Sequence, residues 1–173
     1  LMIATYCEDG SVDVMNMAWG GICGNNKVAL NITESHKTSK NIKERGAFTI
    51  SVADVPHLEE SDYFGTASAN RVKDKFEKSG MHAVKSKRVD APIIEEYPIT
   101  LECKVSKIYN DDEGFRVVGE IVNVLADEEV LDSNGKVDPT KLNAFVFDQF
   151  QNGYYAIGEK VGEAWKIGNK YMK

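Results

Sequence analysis

A pair of long β-strand segments joined by a four-residue turn is the feature that most constrains how this chain folds. Residues 99–110 (ITLECKVSKIYN) and 115–127 (FRVVGEIVNVLAD) are rich in β-branched residues, and the DDEG between them is a turn sequence. Two such segments around a short turn with glycine predict an antiparallel hairpin. The start of the chain repeats the arrangement, because LMIATYC (1–7) and VDVMNMAWG (12–20) flank the turn sequence EDGS. The chain is therefore predicted to be built from antiparallel hairpins.

Short helical segments lie between further strands. The predicted elements are a strand ending at Ile32 after a turn at 24–26, a helix over 35–46 capped by Ser35 and ended by Gly46, a strand over 47–53, a helix over 54–65 capped by Asp54 and ended by Gly65, and a helix over 70–80 capped by Asn70. Hairpin strands with inserted helices predict a mainly β fold, a closed or split antiparallel β-barrel with peripheral α-helices. A doubly wound parallel sheet does not fit, because few strands are separated by a crossover helix.

The size and charge of the chain narrow the class of protein. Its 173 residues show no internal repeat or linker and suit a single domain over 1–173. A formal net charge of −6 argues against broad binding to nucleic acid or to anionic membranes. The apolar stretches are far shorter than the roughly 20 residues of a transmembrane helix. Leu1 stands inside an apolar segment, so the sequence leaves open whether the natural start lies upstream.

The three cysteines, Cys7, Cys23 and Cys103, are far apart in the sequence and show no zinc-binding spacing. We interpret them as reduced and mostly buried thiols of a cytoplasmic protein. Cys23 lies beside a glycine-rich segment, so a redox-active role for that thiol is the alternative interpretation.

Familiar catalytic motifs are absent from the sequence. It contains no GxSxG, HExxH, P-loop or GxGxxG motif, and no catalytic residue is assigned. His36, His57 and His82 are dispersed and follow no metal-ligand spacing, so no metal site is predicted. We expect His57 and His82 at the surface. Two short segments remain as candidates for a functional site.

The first segment is NMAWGG, residues 16–21, which follows the alternating strand SVDVM. Glycines within a strand mark a bulge, a sharp bend or a place where a ligand approaches the backbone. One interpretation is therefore the wall of a ligand pocket. The other is a barrel strand bent at Gly20 and Gly21, with Trp19 as an ordinary core residue.

The second segment is ESHKTSKNI, residues 34–42, directly after the strand VALNI. A helix N-terminus presents unpaired N–H groups and the positive end of the helix dipole, which together attract an anion. The segment adds hydroxyl and cationic side chains there, namely Ser35, Thr38 and Ser39, and His36, Lys37 and Lys40. The alternative interpretation is a capped surface helix with solvated lysines.

Taken together, these segments resemble the flavin reductase-like family of FMN-binding split barrels, and its flavoredoxin-type branch in particular. The resemblance rests on the order and spacing of NMAWGG, HKTSKNI, RVKDKF, LEC, GEIV, YYAIG and GEAWKIG along nearly the whole chain. It implies a split-barrel fold and a homodimer with one FMN per subunit near the subunit interface.

The resemblance also assigns residues to the site. It implies that the flavin ring is lined by Asn16, Met17, Ala18 and Trp19, and that the phosphate is held by Ser35, His36, Lys37 and Thr38. It adds Ser68, Asn70 and Lys75 around the ring or the phosphate, and Tyr154 and Tyr155 as residues that close the site from the same or the partner subunit. Small residues such as Ala18, Gly20 and Gly21 would let backbone N–H groups approach the polar edge of the ring and stabilise its reduced state.

One position departs from the family that the chain resembles. Many of its reductases carry a histidine in a Gly-Asp-His segment just before the GE strand, and Gly114 stands there in this sequence. That histidine is associated with the nicotinamide side of the pocket. The departure puts direct oxidation of NAD(P)H in doubt and leaves flavin binding unaffected.

Three functions are compatible with the sequence, and the resemblance favours the first two. The first is an FMN-dependent oxidoreductase that transfers electrons from NAD(P)H to free flavin or another small acceptor. The second is a flavoredoxin-like electron carrier reduced by a protein partner, and the acidic surface would then steer a basic partner. The third is a flavin- or ligand-binding module without redox activity.

Overall fold

The computed structural model describes residues 1–112 and 114–172 and shows the mainly β fold that the sequence predicts. The strands are β1 (Met2–Tyr6), β2 (Val12–Asn16), β3 (Gly20–Gly24), β4 (Lys27–Ile32), β5 (Ala47–Ser51), β6 (Ala83–Lys85), β7 (Pro92–Ile94), β8 (Ile99–Asp111), β9 (Gly114–Ala126), β10 (Phe145–Asp148) and β11 (Gly153–Ala156). The helices are α1 (Lys37–Arg45), α2 (Leu58–Thr66), α3 (Lys75–Ser79) and α4 (Pro139–Leu142), and short 3₁₀ turns cover Val55–His57, Glu128–Val130 and Ile167–Tyr171. The predicted turn at 111–114 includes Glu113 and the predicted domain ends at Lys173, and these two residues lie outside the described part of the chain.

Seven strands form one antiparallel sheet in the order β2-β1-β5-β8-β9-β4-β3. The two predicted hairpins, β1–β2 and β8–β9, are confirmed. Strands β2 and β3 lie at opposite edges although only residues 17–19 join them. In a flat sheet, strands about 4.8 Å apart would separate these edges by about 29 Å, whereas the linker reaches only about 14 Å. The sheet therefore curls into a split barrel, and we term the gap between β2 and β3 the seam and residues 17–19 the seam linker.

The seam linker is hydrogen-bonded to the sheet on both sides of the seam. The N–H of Met17 donates to the carbonyl oxygen of Leu1 at 2.8 Å, so Met17 continues the β2 edge. The carbonyl oxygen of Trp19 accepts the N–H of Asn31 at 2.8 Å, so Trp19 belongs to the β3 edge. Ala18 is therefore the point at which the chain crosses the seam.

The sequence predicts one strand over 12–20, and this prediction is wrong in length. Strand β2 ends at Asn16, and Gly20 begins β3, where it pairs with Leu30 of β4. The strand-like residue pattern continues across the linker, so the break is set by long-range pairing and not by the local sequence.

Apolar side chains form two main layers, one in the barrel and one between β1, β2 and the outer helices. The barrel layer contains Ile3, Met17, Val28, Leu30, Ile32, Ile42, Phe48, Ile50, Cys103, Phe115 and Val117. The outer layer contains Met2, Ala4, Val14, Ala53, Phe64, Phe76, Met81, Ile94 and Tyr97. Successive residues of β1 alternate between the two layers, as the pleat of a strand requires. Helix α1 contributes to the barrel layer through Ile42, which fixes the helix against the strands.

Helix α1 begins later than the sequence predicts. It starts at Lys37 with His36 in the N-cap position, and the prediction that Ser35 caps it is wrong. The N-cap side chain makes no capping hydrogen bond. The predicted end is confirmed, because Gly46 stops the helix in the left-handed conformation (φ 64°) and donates its N–H to the carbonyl oxygen of Ile42.

Helix α2 also differs from its prediction at both ends. It begins at Leu58 after a 3₁₀ turn, and it continues through Gly65 to Thr66. The Asp54 side chain does not cap this segment, because its Oδ1 lies 2.7 Å from Nδ1 of His57. His57 is half-buried, so the prediction that it lies at the surface is wrong.

Helix α3 begins at Lys75 and not at Asn70. Arg71 and Val72 each donate an N–H to the carbonyl oxygen of Ser68 at 2.9 Å, so these residues form a turn before the helix. Within the described residues, none of the helices is long and apolar enough to cross a membrane.

Two of the three cysteines are buried, as predicted. These are Cys7 and Cys103, whereas Cys23 is exposed on the edge strand β3. Burial, with a smaller contribution from the charge of Glu102, raises the pKa of the Cys103 thiol to about 12. The Cys103 thiol is therefore protonated, and unreactive, at neutral pH.

We expect the substitution Gly20→Ala to destabilise the barrel. A Cβ at Gly20 would lie 2.6 Å from the carbonyl oxygen of Ala29 and 2.6 Å from Cε of Met17. The Ala29 backbone cannot move away without disturbing the β3–β4 pairing, so the free energy of unfolding should fall by about 1–3 kcal/mol. Gly21→Ala is the matched control, because a Cβ there meets nothing within 4 Å. Urea unfolding compares the two, and equal midpoints would contradict the expected steric strain.

Candidate functional site

Three cavities meet at the seam. The largest of the three, termed the cleft, has a volume of about 610 Å³ and is lined by Met15, Asn16, Met17, Ala18, Trp19, Asn31, Ile32, Thr33, His36, Tyr109, Asp111, Gly114, Phe115 and Arg116. A second cavity of about 240 Å³, termed the cradle, shares Met15, Asn16 and His36 with the cleft. A third of about 290 Å³, termed the side cavity, shares Asn16, Met17 and Ala18 with the cleft. Asn16 therefore stands where all three cavities join.

The cleft combines an apolar interior with fixed polar groups. Met17, Ile32 and Phe115 line it and also belong to the buried barrel layer. The Asn16 side chain is held in place, because its Nδ2 donates to the carbonyl oxygen of Ser61 on α2 at 3.0 Å. Such a cavity suits a ligand whose body is apolar and whose edge forms hydrogen bonds.

Trp19 lines the cleft and is not a core residue. Its side chain is 59% exposed, so the interpretation of Trp19 as an ordinary core residue is wrong. Gly20 and Gly21 do not line any of the three cavities. Gly20 instead allows the close approach of β3 to Ala29 of β4.

The cradle lies between the start of α1 and the loop that follows α2. Its polar lining comprises Asp13, Asn16, His36, Lys37, Thr38, Thr66, Ser68, Arg71 and Lys75. Among the described residues, the backbone N–H groups of Lys37, Thr38 and Ser39 have no hydrogen-bond partner, as expected for the first turn of a helix without a capping side chain. Free N–H groups at a helix N-terminus beside cationic side chains attract an anion.

A buried carboxylate engages Thr38, which is predicted at the phosphate, and Lys75, which is predicted around the ring or the phosphate. Thr38 Oγ1 donates to Oδ2 of Asp13 at 2.6 Å, and Lys75 Nζ lies 3.9 Å from Oδ1 of the same carboxylate. Lys75 also donates to the carbonyl oxygen of Phe64 at 3.0 Å. Desolvation lowers the pKa of Lys75, and the charge of Asp13 opposes this shift. The side-chain donors of Thr38 and Lys75 are thus used within the wall of the cradle, and the backbone N–H of Thr38 stays available.

Ser35 and Asn70 do not line the cradle within the described part of the chain. Asn70 Nδ2 donates to the carbonyl oxygen of Ser35 at 2.9 Å, so the two residues tie the loop after α2 to the segment before α1. Arg71, the neighbour of Asn70, does line the cradle and is missed by the sequence reasoning. The turn that aims Arg71 into the cradle has no signal in the sequence beyond its serine and asparagine.

The two C-terminal tyrosines occupy different places. Tyr154 lines the side cavity, and its hydroxyl donates to Oδ1 of Asp62 on α2 at 2.7 Å. Burial, followed by the hydrogen bond to Asp62, raises the pKa of Tyr154 to about 12. Tyr155 lines none of the three cavities, and its hydroxyl donates to Oε1 of Gln151 at 3.4 Å.

One wall of the cleft contains the seam linker, and another comes from the β8–β9 hairpin. Arg116 pairs with Asn31 across β4 and β9, and its Nε donates to Oδ1 of Asn31 at 2.8 Å. Gly114 lines the same wall with φ 121°, a conformation that favours glycine, and a Cβ there would meet nothing within 4 Å. The sequence analysis missed Arg116 and Asn31, because β4 and β9 contain other polar residues, such as Lys27 and Glu120, and the pattern does not single these two out.

Comparisons with known proteins address the family and the fold. A family model described as "Flavin reductase like domain" matches residues 1–142. The flavoredoxin of Desulfovibrio vulgaris (Miyazaki F) is similar with a TM-score of 0.91 and 32% identity, covering 96% of this chain and 90% of that chain.

Two more distant structures share the fold. The flavoredoxin from Methanosarcina acetivorans has a TM-score of 0.89 and 24% identity, with 99% of this chain and 90% of that chain covered. An FMN-binding domain of a flavin reductases-like enzyme from Shewanella baltica OS155 has a TM-score of 0.80 and 20% identity, with 94% and 87% covered.

The family match spans most of the chain, including the seam linker, the start of α1 and both walls of the cleft. The predicted fold and the resemblance read from the motifs are therefore confirmed, and this chain belongs to the flavin reductase-like family of split-barrel proteins.

Proposed function

We propose that this protein is an FMN-dependent oxidoreductase that takes electrons from NAD(P)H and passes them to free flavin or another small acceptor. The observation that supports it most is the junction, at Asn16 and His36, of an apolar cleft with an anion-attracting cradle. FMN has the matching shape, because it carries a flat ring at one end and a phosphate at the other. Membership of the family supports a flavin as the class of cofactor.

In the proposed complex, the ring lies in the cleft against the residues around the seam, Asn16, Met17, Ala18 and Trp19. The phosphate lies in the cradle, where it receives the free N–H groups of Lys37 and Thr38 and the charge of Arg71. His36 stands between the two cavities. When bound, FMN supplies two-electron redox chemistry. The residues of this chain bind, orient and partly shield it.

The remaining predicted residues take supporting roles in this proposal. Lys75 and the Thr38 side chain hold the cradle wall through Asp13. Ser35 and Asn70 hold the two walls together, and Ser68 lines the cradle. Tyr154 closes the side cavity, whereas a role for Tyr155 requires the partner subunit.

The phosphate contact is tested by Arg71→Gln. We expect the dissociation constant for FMN to rise about tenfold, because a charge-assisted interaction of about 1.5 kcal/mol is lost. The affinity for riboflavin, which lacks the phosphate, should not change. Fluorescence titration of both flavins measures this difference.

The matched control is Lys73→Gln, which removes one positive charge from the same loop but lines a different cavity. Lys73→Gln should bind FMN as the unaltered protein does. Equal losses for FMN and riboflavin in Arg71→Gln would place the phosphate elsewhere.

The electron donor is tested by anaerobic mixing of the FMN-loaded protein with NADH and with NADPH. Under the proposal, at least one nicotinamide bleaches the visible flavin absorbance. A flavin that stays oxidised with both nicotinamides, but that dithionite reduces, would contradict NAD(P)H as the donor.

The second candidate is a flavoredoxin-like electron carrier reduced by a protein. It is favoured by Gly114, which presents no side chain to the cleft, and by the 32% identity with the flavoredoxin of Desulfovibrio vulgaris. Reduction by a protein donor and by neither nicotinamide would support it. Bound FMN that even dithionite does not reduce would support the third candidate, a binding module without redox activity.

We also propose that residues 1–173 form one domain of a cytoplasmic homodimer. The segment after β11 is exposed throughout its described residues, and its apolar side chains Val161, Trp165, Tyr171 and Met172 are each at least 80% exposed. Large apolar side chains that are exposed within one segment favour burial of that segment against another chain.

Light scattering should give twice the chain mass of 19.2 kDa. Trp165→Ala should weaken the dimer by at least tenfold, because an interface aromatic loses its contacts. The control Val84→Ala, at a side chain 43% exposed on β6, should leave the mass unchanged. A monomer at every concentration of the unaltered protein would contradict the proposal.

A further inference from the structure

A further concave surface lies at the C-terminal end of α1, away from the cradle. It has a volume of about 620 Å³ and is lined by residues of α1, β5, β6, β8 and the loop between β6 and β7. Five of its lining side chains are cationic: Arg45, Lys85, Lys87, Arg88 and Lys104. We term it the basic groove.

The positive charge of the basic groove is mostly unbalanced. Asp90 is the one carboxylate among its described lining residues, and its Oδ2 already lies 3.3 Å from Nη1 of Arg45. In the part of the chain that the structure describes, the side-chain nitrogens of the four other cations have no hydrogen-bond or ion-pair partner. A protein with a net charge of −6 thus concentrates four unpaired cations around one concavity. A concave surface lined by one sign of charge focuses its electrostatic potential.

The loop that carries two of these cations has a fixed backbone. Ser86 Oγ accepts the N–H groups of Arg88 and Val89 at 2.9 Å each, and its hydroxyl donates to the carboxylate of Glu102. Glu102 is buried and also accepts Nδ2 of Asn123 at 2.5 Å. These hydrogen bonds therefore hold the backbone of the loop that carries Lys87 and Arg88.

The donor set of the basic groove does not suit a compact anion. A phosphate is held by converging backbone N–H groups and hydroxyls, and here those of Ser86, Arg88 and Val89 are already used within the loop. What remains is a set of exposed, flexible side chains spread over several elements. Nucleic acid is disfavoured by the negative charge of the rest of the surface. A broad acidic protein surface matches both the spread and the sign of the groove.

We propose that the basic groove docks the acidic face of a redox protein that exchanges electrons with the bound flavin. This rests on the flavin cofactor of the proposed function and not on its nicotinamide donor, because the bound flavin makes the partner a redox protein. Helix α1 links the two sites: Lys37 in its first turn lines the cradle, and Arg45 lines the groove eight residues later, a rise of about 12 Å. When the partner is a one-electron donor, two donor molecules are oxidised and two protons are taken from water for each FMN fully reduced.

The experiment uses the FMN-loaded protein and, as probe, a reduced plant-type ferredoxin, an acidic one-electron carrier. Anaerobic stopped-flow mixing gives the second-order rate of flavin reduction, and dithionite gives a rate that does not depend on docking. Arg88→Glu and Lys104→Glu, on two different elements, should each lower the ferredoxin rate about tenfold at about 20 mM salt, where the Debye length is roughly 20 Å. The gap should close at about 500 mM salt, and the dithionite rate should not change.

The matched control is Lys136→Glu, the same charge reversal at an exposed lysine outside the groove. An equal loss of rate in the control and in the groove variants would overturn the proposal. So would groove variants that raise only the KM for NADPH, which would indicate a small anion, or that change only the oligomeric mass, which would indicate a second copy of this chain.

Failure of the proposed function is distinguished by a direct binding measurement. Calorimetry of the protein with oxidised ferredoxin at about 20 mM salt reports docking whether or not flavin is bound. Binding that Arg88→Glu weakens and Lys136→Glu does not would support the docking surface even for a protein that takes up no FMN. Bound and reducible FMN together with no ferredoxin binding would overturn the docking surface and leave the proposed function in place.

Discussion

The short linker between the two edges of one sheet is the constraint on which the rest of the structure depends. Residues 17–19 join β2 to β3, which are separated by five strands in the sheet order, so the sheet has to curl until its edges approach. Each edge holds one end of the linker by a backbone hydrogen bond, and only Ala18 lies between. The seam therefore stays open, and the three cavities collect there. The position of the cleft thus follows from the strand order, whereas α1 and the loop after α2 complete the cradle.

Helix α1 fixes the spacing between the cradle and the basic groove. Its middle is anchored by Ile42 in the barrel layer, and its first turn is anchored by the hydrogen bond from Thr38 to Asp13. These two contacts explain why the N-cap position needs no capping side chain: burial orients the helix, and the first N–H groups can stay free for a ligand. The C-terminal turn, with Lys43 and Arg45, lies at the negative end of the helix dipole, where cations are stabilised.

Local signals in the sequence were sufficient for the hairpins, the family and the glycine that ends α1, because each depends on neighbouring residues. Local signals were insufficient where contacts between residues far apart in the sequence determine the structure. The strand break after Asn16 depends on pairing with β4, and the polar groups of Ser35 and Asn70, which look like helix caps, bond to each other. The candidate site shows the same difference between residues that local patterns predict and residues that only the fold brings together. All four predicted ring residues line the cleft, whereas Asp13 and Arg71 reach the cradle from a strand and a loop that only the fold brings beside α1.

The charge expected of a protein partner shows why the net charge of the chain does not predict a binding surface. A net charge of −6 predicts a basic partner, because it sums over the whole chain. An approaching protein responds to the potential within about 10 Å at ordinary salt, and not to the total. Among the described residues that line the basic groove, five cations stand against one carboxylate, so the charge of that lining is positive. The residues outside the groove then carry all of the negative excess, so we expect them to repel an acidic partner and to favour its binding at the groove.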